Sequence, residues 1–189
     1  MPGVPAEPAQ GIWTYGDYLT LPDDGSRYEV IDGVLYVSAA PTPKHQRKLL
    51  RLVRHLSDYV DANRLGEMFI APVDVMMPGA APVQPDALFI ASDNPAVVED
   101  NIRGVPDLIV EVASPSTARF DRREKLDLYA RAGVSEYWLA ESGDAAIELL
   151  VLDSSSRSYR SLGVFATASR LPSLVLPGLP FTVTELLGE

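Results

Sequence analysis

Residues 102–139 read IRGVPDLIVEVASPSTARFDRREKLDLYARAGVSEYWL, and this stretch decides the fold. Its run 108–113, LIVEVA, is apolar, rich in β-branched residues and bounded by Pro106 and Pro115. Such a run is too short for a helix and predicts a central strand that is buried on both faces. One charge, Glu111, lies inside the predicted strand.

A helix is predicted over residues 118–132, with Ser116 or Thr117 as its N-cap and Gly133 just after its end. At 100° per residue, one stripe of this helix carries two charges among apolar residues: Asp121, Lys125, Leu128, Tyr129 and Ala132. Charges that face a protein interior are costly unless they serve a site, a metal ion or one another. The charges on this strand and this helix therefore need an explanation.

The chain has 189 residues, of which 47% are hydrophobic, and this suits one domain with a substantial core. We expect residues 1–11, which are rich in Pro, Ala and Gly, to form a flexible tail, and residues 12–189 to form the domain. No stretch is long and apolar enough for a membrane span and no secretory signal begins the chain, so we expect a cytoplasmic protein without a membrane partner. The absence of cysteine excludes disulfides and thiolate metal sites.

A net charge of −10 argues against a protein that coats nucleic acid. The basic residues are unevenly distributed, however, because six of the 16 lie in residues 44–64 and five lie in residues 119–131. Both ranges are predicted helices. These helices could present a basic face to phosphates, or they could simply be solvated.

The remaining chain predicts a mixture of strands and helices. Two β-rich runs joined by Asp32-Gly33, residues 27–31 and 34–38, predict a hairpin. A long helix begins after Thr42, and a loop is expected over residues 92–104. Further strands are predicted at 68–77, 83–91, 136–140, 147–152 and 158–165.

Four acidic residues stand in or beside apolar strands: Glu29, Asp86, Asp107 and Glu111. Asp107 and Glu111 would lie roughly 13 Å apart on one strand, too far to hold one ion. Asp86 is the better partner for Glu111, because its strand could pair beside the central one. Two such carboxylates suit Mg²⁺ or Mn²⁺, whereas zinc is disfavoured by the absence of cysteine and the presence of only two histidines.

Two basic side chains could complete this site. Lys125 could orient an attacking water and stabilise charge on a phosphoryl oxygen, or it could form an ordinary ion pair with Asp121. His45 lies on the apolar stripe of the long helix, where it could be a hydrogen-bonded core residue or a catalyst.

The order of motifs RYEVIDG, VQPDALFI, VPDLIVEVASPST and FDRREKLDLYARAGVSEYWL, with a His-bearing helix after the first, resembles the Uma family. This is a large bacterial group assigned to the restriction endonucleases of the PD-(D/E)xK nuclease superfamily, and the resemblance runs from about residue 13 to residue 152. It implies an α+β (α/β) fold, a restriction-endonuclease-like mixed β-sheet flanked by helices. It also implies that Asp86 is the acid of the PD motif, Glu111 the acid of the (D/E)xK motif, and Glu29 a further acid at the site.

One departure from the superfamily pattern concerns the lysine. Ala113 stands where the motif places it, two residues after Glu111. The resemblance implies that Lys125 supplies the ammonium group from the following helix.

Three hypotheses follow. The first is a Mg²⁺- or Mn²⁺-dependent DNA endonuclease in which Asp86 and Glu111 bind the metal, with the Val112 carbonyl as a further ligand. Its catalytic residues are Glu29, Asp86, Glu111 and Lys125, its substrate contacts are His45, Lys44 and Arg47, and a homodimer is expected because two sites cut both strands most simply. The second is an inactive nuclease fold that binds nucleic acid or protein, and the third is a hydrolase of small phosphate esters.

Overall fold

The computed structural model describes residues 8–22, 24, 26–38, 40–113, 121–141 and 145–188, with the backbone alone at 121. The strands in these ranges are β1 (Arg27–Ile31), β2 (Val34–Ser38), β3 (Gly66–Ile70), β4 (Val75–Met76), β5 (Ala87–Ala91), β6 (Val97–Val98), β7 (Ile102–Arg103), β8 (Leu108–Ala113), β9 (Glu136–Glu141), β10 (Ala146–Asp153) and β11 (Ser158–Ala166). The helices are α1 (Tyr15–Tyr18), α2 (Pro43–Asn63), α3 (Leu126–Ala132) and α4 (Val183–Leu187), and a π-helical turn, Asp121–Lys125, leads into α3. None of the helices in these ranges is both long and apolar enough to cross a membrane.

The main sheet has six strands in the order β11-β10-β9-β8-β5-β3. β8 and β9 are parallel, whereas the other neighbouring pairs are antiparallel. A small sheet has the order β4-β7-β6, and β1 pairs with β2 in the N-terminal hairpin. The predicted mixed sheet flanked by helices, with its N-terminal β-hairpin, is confirmed.

β8 is the buried centre of the sheet, as predicted, and all six of its residues are buried. Leu108, Val110 and Val112 pack into the core cluster that contains α2 and α4. Ile109 and Ala113 pack on the opposite face, in the cluster that contains α3 and the hairpin. Because side chains alternate along a strand, Glu111 lies on this second face, beneath α3.

The elements around the site form where their local chemistry predicts. Asp32 and Gly33 have φ angles of 50° and 74°, which is the mirror-image turn that favours a tight hairpin. Thr42 caps α2 by accepting a hydrogen bond from the His45 backbone N–H at 3.3 Å. The predicted end of α3 is also correct, because Gly133 adopts a φ of 101° there.

Two predicted strands were wrong in extent. Residues 68–77 divide into β3 and β4, which belong to different sheets, because Pro72 lacks a backbone N–H and interrupts the run. The strand predicted over residues 83–91 begins only at Ala87, after Pro85. The predicted loop 92–104 contains the short strands β6 and β7.

The helix predicted over residues 118–132 is described only from 121 onward, as the π-helical turn and α3. The N-cap candidates Ser116 and Thr117 lie outside the described residues. The division into a tail of residues 1–11 and one domain stays a prediction.

Candidate active site

The pairing of β5 with β8 brings Asp86 and Glu111 together. Ala87 pairs with Val110 in this antiparallel ladder, so Asp86, one residue earlier, stands opposite Glu111. The backbone N–H of Asp86 lies 3.4 Å from Glu111 Oε2. Both side chains are buried, at 4% and 2% exposure. The predicted strand pairing, which places Asp86 beside Glu111, is therefore present in the structure.

Lys125 reaches the same pair from the π-helical turn. Its Nζ lies 2.9 Å from Glu111 Oε1 and 3.1 Å from Glu29 Oε2. Tyr129, one turn later in α3, donates a 2.8 Å hydrogen bond to Glu111 Oε1. Burial, together with the Glu111 and Glu29 charges, raises the pKa of Tyr129 well above its usual value, so its hydroxyl stays protonated and keeps donating.

Among the described residues, Asp86 has three donors. Arg27 Nη1 lies 2.9 Å from its Oδ1, while His45 Nε2 at 3.0 Å and the Val112 backbone N–H at 2.9 Å contact its Oδ2. Burial raises the pKa of Asp86, but the His45 hydrogen bond and the charges of Arg27, His45 and Lys125 outweigh it and hold the pKa well below its ordinary value. Because an ionised carboxylate only accepts hydrogen bonds, His45 donates to Asp86 through Nε2.

Glu29 connects the hairpin to this cluster. Its Oε1 accepts a 3.0 Å hydrogen bond from the Gln84 backbone N–H, and its Oε2 faces Lys125. Arg27, two residues earlier on the same face of β1, places Nε 3.8 Å from Glu29 Oε2. The cluster thus combines three buried carboxylates with two cations and a histidine.

The structure brings five of the predicted site residues into one network: Glu29, His45, Asp86, Glu111 and Lys125. Asp107 lies apart, as its spacing from Glu111 predicted. Its carboxylate accepts hydrogen bonds from the Ala91 backbone N–H at 2.8 Å and from Asn94 Nδ2 at 2.7 Å. Asp107 therefore stabilises the turn that follows β5.

Sequence reasoning missed Arg27 and Tyr129 as members of the cluster. The signal for Arg27 is its spacing, because residues two apart on a strand share a face and Glu29 was already a candidate. The signal for Tyr129 is its place on the helix stripe that carries Lys125. There it is grouped with the apolar residues, although its hydroxyl can also form a hydrogen bond.

Lys44 and Arg47 lie outside the hydrogen-bond and ion-pair network of the described carboxylates. They are exposed and line a groove of about 810 Å³ along α2, together with Arg51, Arg54 and the end of α4. Lys48 also lines this groove, but it is buried, and its Nζ donates a 3.0 Å hydrogen bond to the Glu141 carbonyl. The groove therefore lies along α2, the helix whose first turn carries His45.

The donor set suits a hard divalent cation that takes few protein ligands. Asp86 and Glu111 offer carboxylate oxygens from neighbouring positions in the sheet. Mg²⁺ commonly binds one or two protein carboxylates, and water and phosphate supply its other ligands. Within the described part of the chain, no three His, Cys, Asp or Glu side chains are arranged to hold an ion by themselves. A metal ion would have to share these carboxylates with the protein cations or displace one of them.

Comparison with known proteins identifies the fold and the family. No curated protein sequence matches the chain. A solved structure described as "a putative nuclease belonging to DUF820" from Anabaena variabilis ATCC 29413 superposes with a TM-score of 0.77 at 17% identity, over 92% of this chain and 97% of the other. At this identity the match shows a shared fold. The Uma2 family profile, "Putative restriction endonuclease", matches residues 15–184, and the chain therefore belongs to the Uma2 family.

Proposed function

We propose that this protein is a divalent-metal-dependent endonuclease that hydrolyses phosphodiester bonds in DNA. The observation that carries the proposal is the buried meeting of Asp86 and Glu111 with Lys125. Membership of a family described as "Putative restriction endonuclease" supports the same reaction class. Asp86 and Glu111 would hold Mg²⁺ or Mn²⁺, with the Val112 carbonyl as a further oxygen ligand.

The bound metal would polarise a phosphoryl oxygen and lower the pKa of a coordinated water. Lys125 donates hydrogen bonds to the attacking water and to the oxygen on which negative charge develops as the P–O bond breaks. Glu29 and Glu111 hold the Lys125 ammonium between them at 3.1 and 2.9 Å, which fixes its position before substrate binds. Tyr129 fixes Glu111 in turn.

The basic face of α2 supports DNA as the substrate. Lys44, Arg47, Arg51 and Arg54 are exposed along one groove, and none of them forms an ion pair with another described residue. The N-terminal end of α2, which carries the positive pole of the helix dipole, lies at the carboxylate cluster because His45 contacts Asp86. Lys44, Arg47 and His45 would therefore lead a phosphate backbone toward the metal.

The test measures nicking of supercoiled plasmid with Mg²⁺ or Mn²⁺ by wild type, Asp86→Ala, Lys125→Met and the control Asp127→Asn. Asp127 is an exposed carboxylate two residues after Lys125, so its removal should leave the rate unchanged. We expect the Asp86 and Lys125 variants to lose about 10²-fold or more of the rate. A wild-type protein that never nicks DNA, or an Asp86 variant that nicks at the wild-type rate, would refute the proposal.

A second candidate function is a nuclease fold that binds nucleic acid without cutting it. The observation that favours it is that both Asp86 oxygens already have protein donors, from Arg27, His45 and Val112. Calorimetry separates the two functions, because a catalytic site should bind Mn²⁺ and lose this binding in Glu111→Ala. A purely structural network should bind no Mn²⁺ and lose stability in the same variant.

A further inference from the structure

The two cations of the cluster differ in how well the protein satisfies them. Lys125 lies within 3.1 Å of two carboxylates and within hydrogen-bond distance of both. Arg27 has one close partner, Asp86 Oδ1 at 2.9 Å, and its Nε is 3.8 Å from Glu29 Oε2, beyond hydrogen-bond distance. Its buried Nε and Nη2 donate to no described residue. A guanidinium with five donors is therefore held mainly through one contact.

The two cations also differ in access to solvent. The Arg27 side chain is 24% exposed, whereas the Lys125 side chain is 3% exposed. Arg27 is the first residue of β1, at the end of the hairpin strand. Its long side chain can move its charge toward water without crossing the core, which the buried Lys125 cannot do.

The charges at the site make this difference consequential. Glu29, Asp86 and Glu111 carry three negative charges, whereas Arg27 and Lys125 carry two positive charges. A divalent cation at Asp86 would add two positive charges close to the Arg27 guanidinium, and like charges repel strongly in a buried site. One cation has to leave, and Arg27 is the cation with the weaker hold and the open route.

We propose that Arg27 is the resident counter-cation of Asp86, that a divalent metal ion displaces it, and that Arg27 thereby sets the metal affinity of the site. The inference rests on the metal site of the proposed function. Without metal, Arg27 keeps the buried Asp86 carboxylate paired, which avoids the cost of an uncompensated charge. With metal, the same carboxylate oxygen changes partners.

The test is calorimetric titration of Mn²⁺ into wild type, Arg27→Gln, Arg27→Lys and the control Arg131→Gln. Arg131 is an exposed arginine that contacts both carboxylate oxygens of Asp32 in the hairpin turn, at 2.7 and 2.9 Å. Arg131→Gln therefore also removes one arginine from an ion pair, but this ion pair does not include Asp86. Removing Arg27 ends the competition, and we expect Arg27→Gln to bind Mn²⁺ about tenfold more tightly than wild type. Arg27→Lys keeps a charge and should retain the wild-type affinity within about threefold, as should Arg131→Gln.

Thermal unfolding supplies a second reading that does not depend on activity. Arg27→Gln should unfold at a lower temperature than wild type without metal, and saturating Mn²⁺ should raise its unfolding temperature by more than it raises that of wild type. If the role of Arg27 is purely structural, Arg27→Gln should unfold at a lower temperature than wild type both with and without Mn²⁺. The increase in unfolding temperature caused by Mn²⁺ should then be no larger in Arg27→Gln than in wild type.

The outcomes separate this inference from the proposed function. If wild type binds Mn²⁺ through Asp86 and Arg27→Gln binds it equally or more weakly, the counter-cation role is overturned and the metal site stands. If neither protein binds Mn²⁺, the metal site and the role of Arg27 fall together. Binding by Arg27→Gln alone, or tighter binding than in wild type, supports the inference.

Discussion

Lys125 is the residue on which the buried cluster depends most. Its single positive charge contacts Glu29 and Glu111 at once, and all three side chains are at most 3% exposed. Replacing it by Met leaves two carboxylates buried without their cation, and we expect the free energy of unfolding to fall by about 3–5 kcal/mol. Guanidinium unfolding without metal measures this loss. The double variant Lys125→Met, Glu111→Gln should recover part of it, and a loss below about 1 kcal/mol in the single variant would contradict the pairing.

The Tyr129 hydroxyl provides a finer comparison, because Tyr159 offers a matched hydrogen bond to a neutral acceptor. Tyr129 donates to the Glu111 carboxylate at 2.8 Å, and Tyr159 donates to the Val134 backbone carbonyl at 2.9 Å. Hydrogen bonds to charged groups contribute about 1.5–3 kcal/mol against about 0.5–1.5 kcal/mol for neutral pairs. Urea unfolding should therefore show a larger loss of stability in Tyr129→Phe than in Tyr159→Phe. Equal losses would mean that Glu111 does not depend on this donor.

The sequence predicted the acidic residues and the lysine of the cluster better than their partners. Glu111 and Lys125 are charges at inward-facing positions, and that anomaly is visible in the sequence as a break in periodicity. Arg27 begins a strand beside a loop, where a charged residue is ordinary, so its spacing from Glu29 is the one local signal that it faces the cluster. Its role depends on the hairpin packing against β5 and β8, a tertiary contact that periodicity does not encode.

At the scale of elements, the predictions are correct where a local sequence signal determines the structure and wrong where an apolar run is interrupted. The Asp32-Gly33 turn, the Thr42 cap and the apolar β8 each have a local cause, and each is found in the structure. The apolar run 68–77 is interrupted by Pro72 and Asp74, and its two parts join different sheets. A hydrophobic pattern specifies burial, whereas the sheet that a strand joins depends on residues distant in the chain.

The hairpin turn gives a prediction with a matched control. Gly33 and Gly79 have nearly the same φ, 74° and 76°, but a Cβ at Gly33 would lie 2.5 Å from the Gly11 carbonyl oxygen, whereas a Cβ at Gly79 meets nothing within 4 Å. Gly79→Ala should cost about 1 kcal/mol, the strain of a left-handed alanine. Gly33→Ala should cost at least twice as much in urea unfolding, because the hairpin must also move away from residue 11. Equal losses of stability in the two variants would show that the chain at Gly11 moves aside at no measurable cost.

At the scale of the whole molecule, the charge is divided between an acidic surface and one basic helix face. The chain has a net charge of −10, yet residues 43–56 contain five Lys or Arg and no acidic residue. Acidic residues repel a phosphate backbone, so under the proposed function a duplex would be attracted chiefly to this basic face of α2. The homodimer that cutting both strands would favour stays a prediction, and sedimentation velocity measures it.

The basic face makes a prediction that does not require catalysis. Three exposed arginines of the α2 groove, Arg47, Arg51 and Arg54, are to be changed together to Gln, and the control changes three exposed arginines elsewhere: Arg157, Arg160 and Arg170. Both triple variants alter the net charge equally. Each phosphate contact contributes roughly 0.9 to the slope of log affinity against log salt concentration, so the groove variant should lose about 3 from that slope.

Fluorescence anisotropy with duplex DNA, in chelator and at several salt concentrations, measures the slope without cleavage. The control should keep the wild-type slope, because its arginines lie off the groove. Equal losses in the two variants would mean that only net charge matters, and an unchanged slope in the groove variant would place the DNA on another face. Because chelator removes the metal, either result leaves the carboxylate site to be judged by its own experiment.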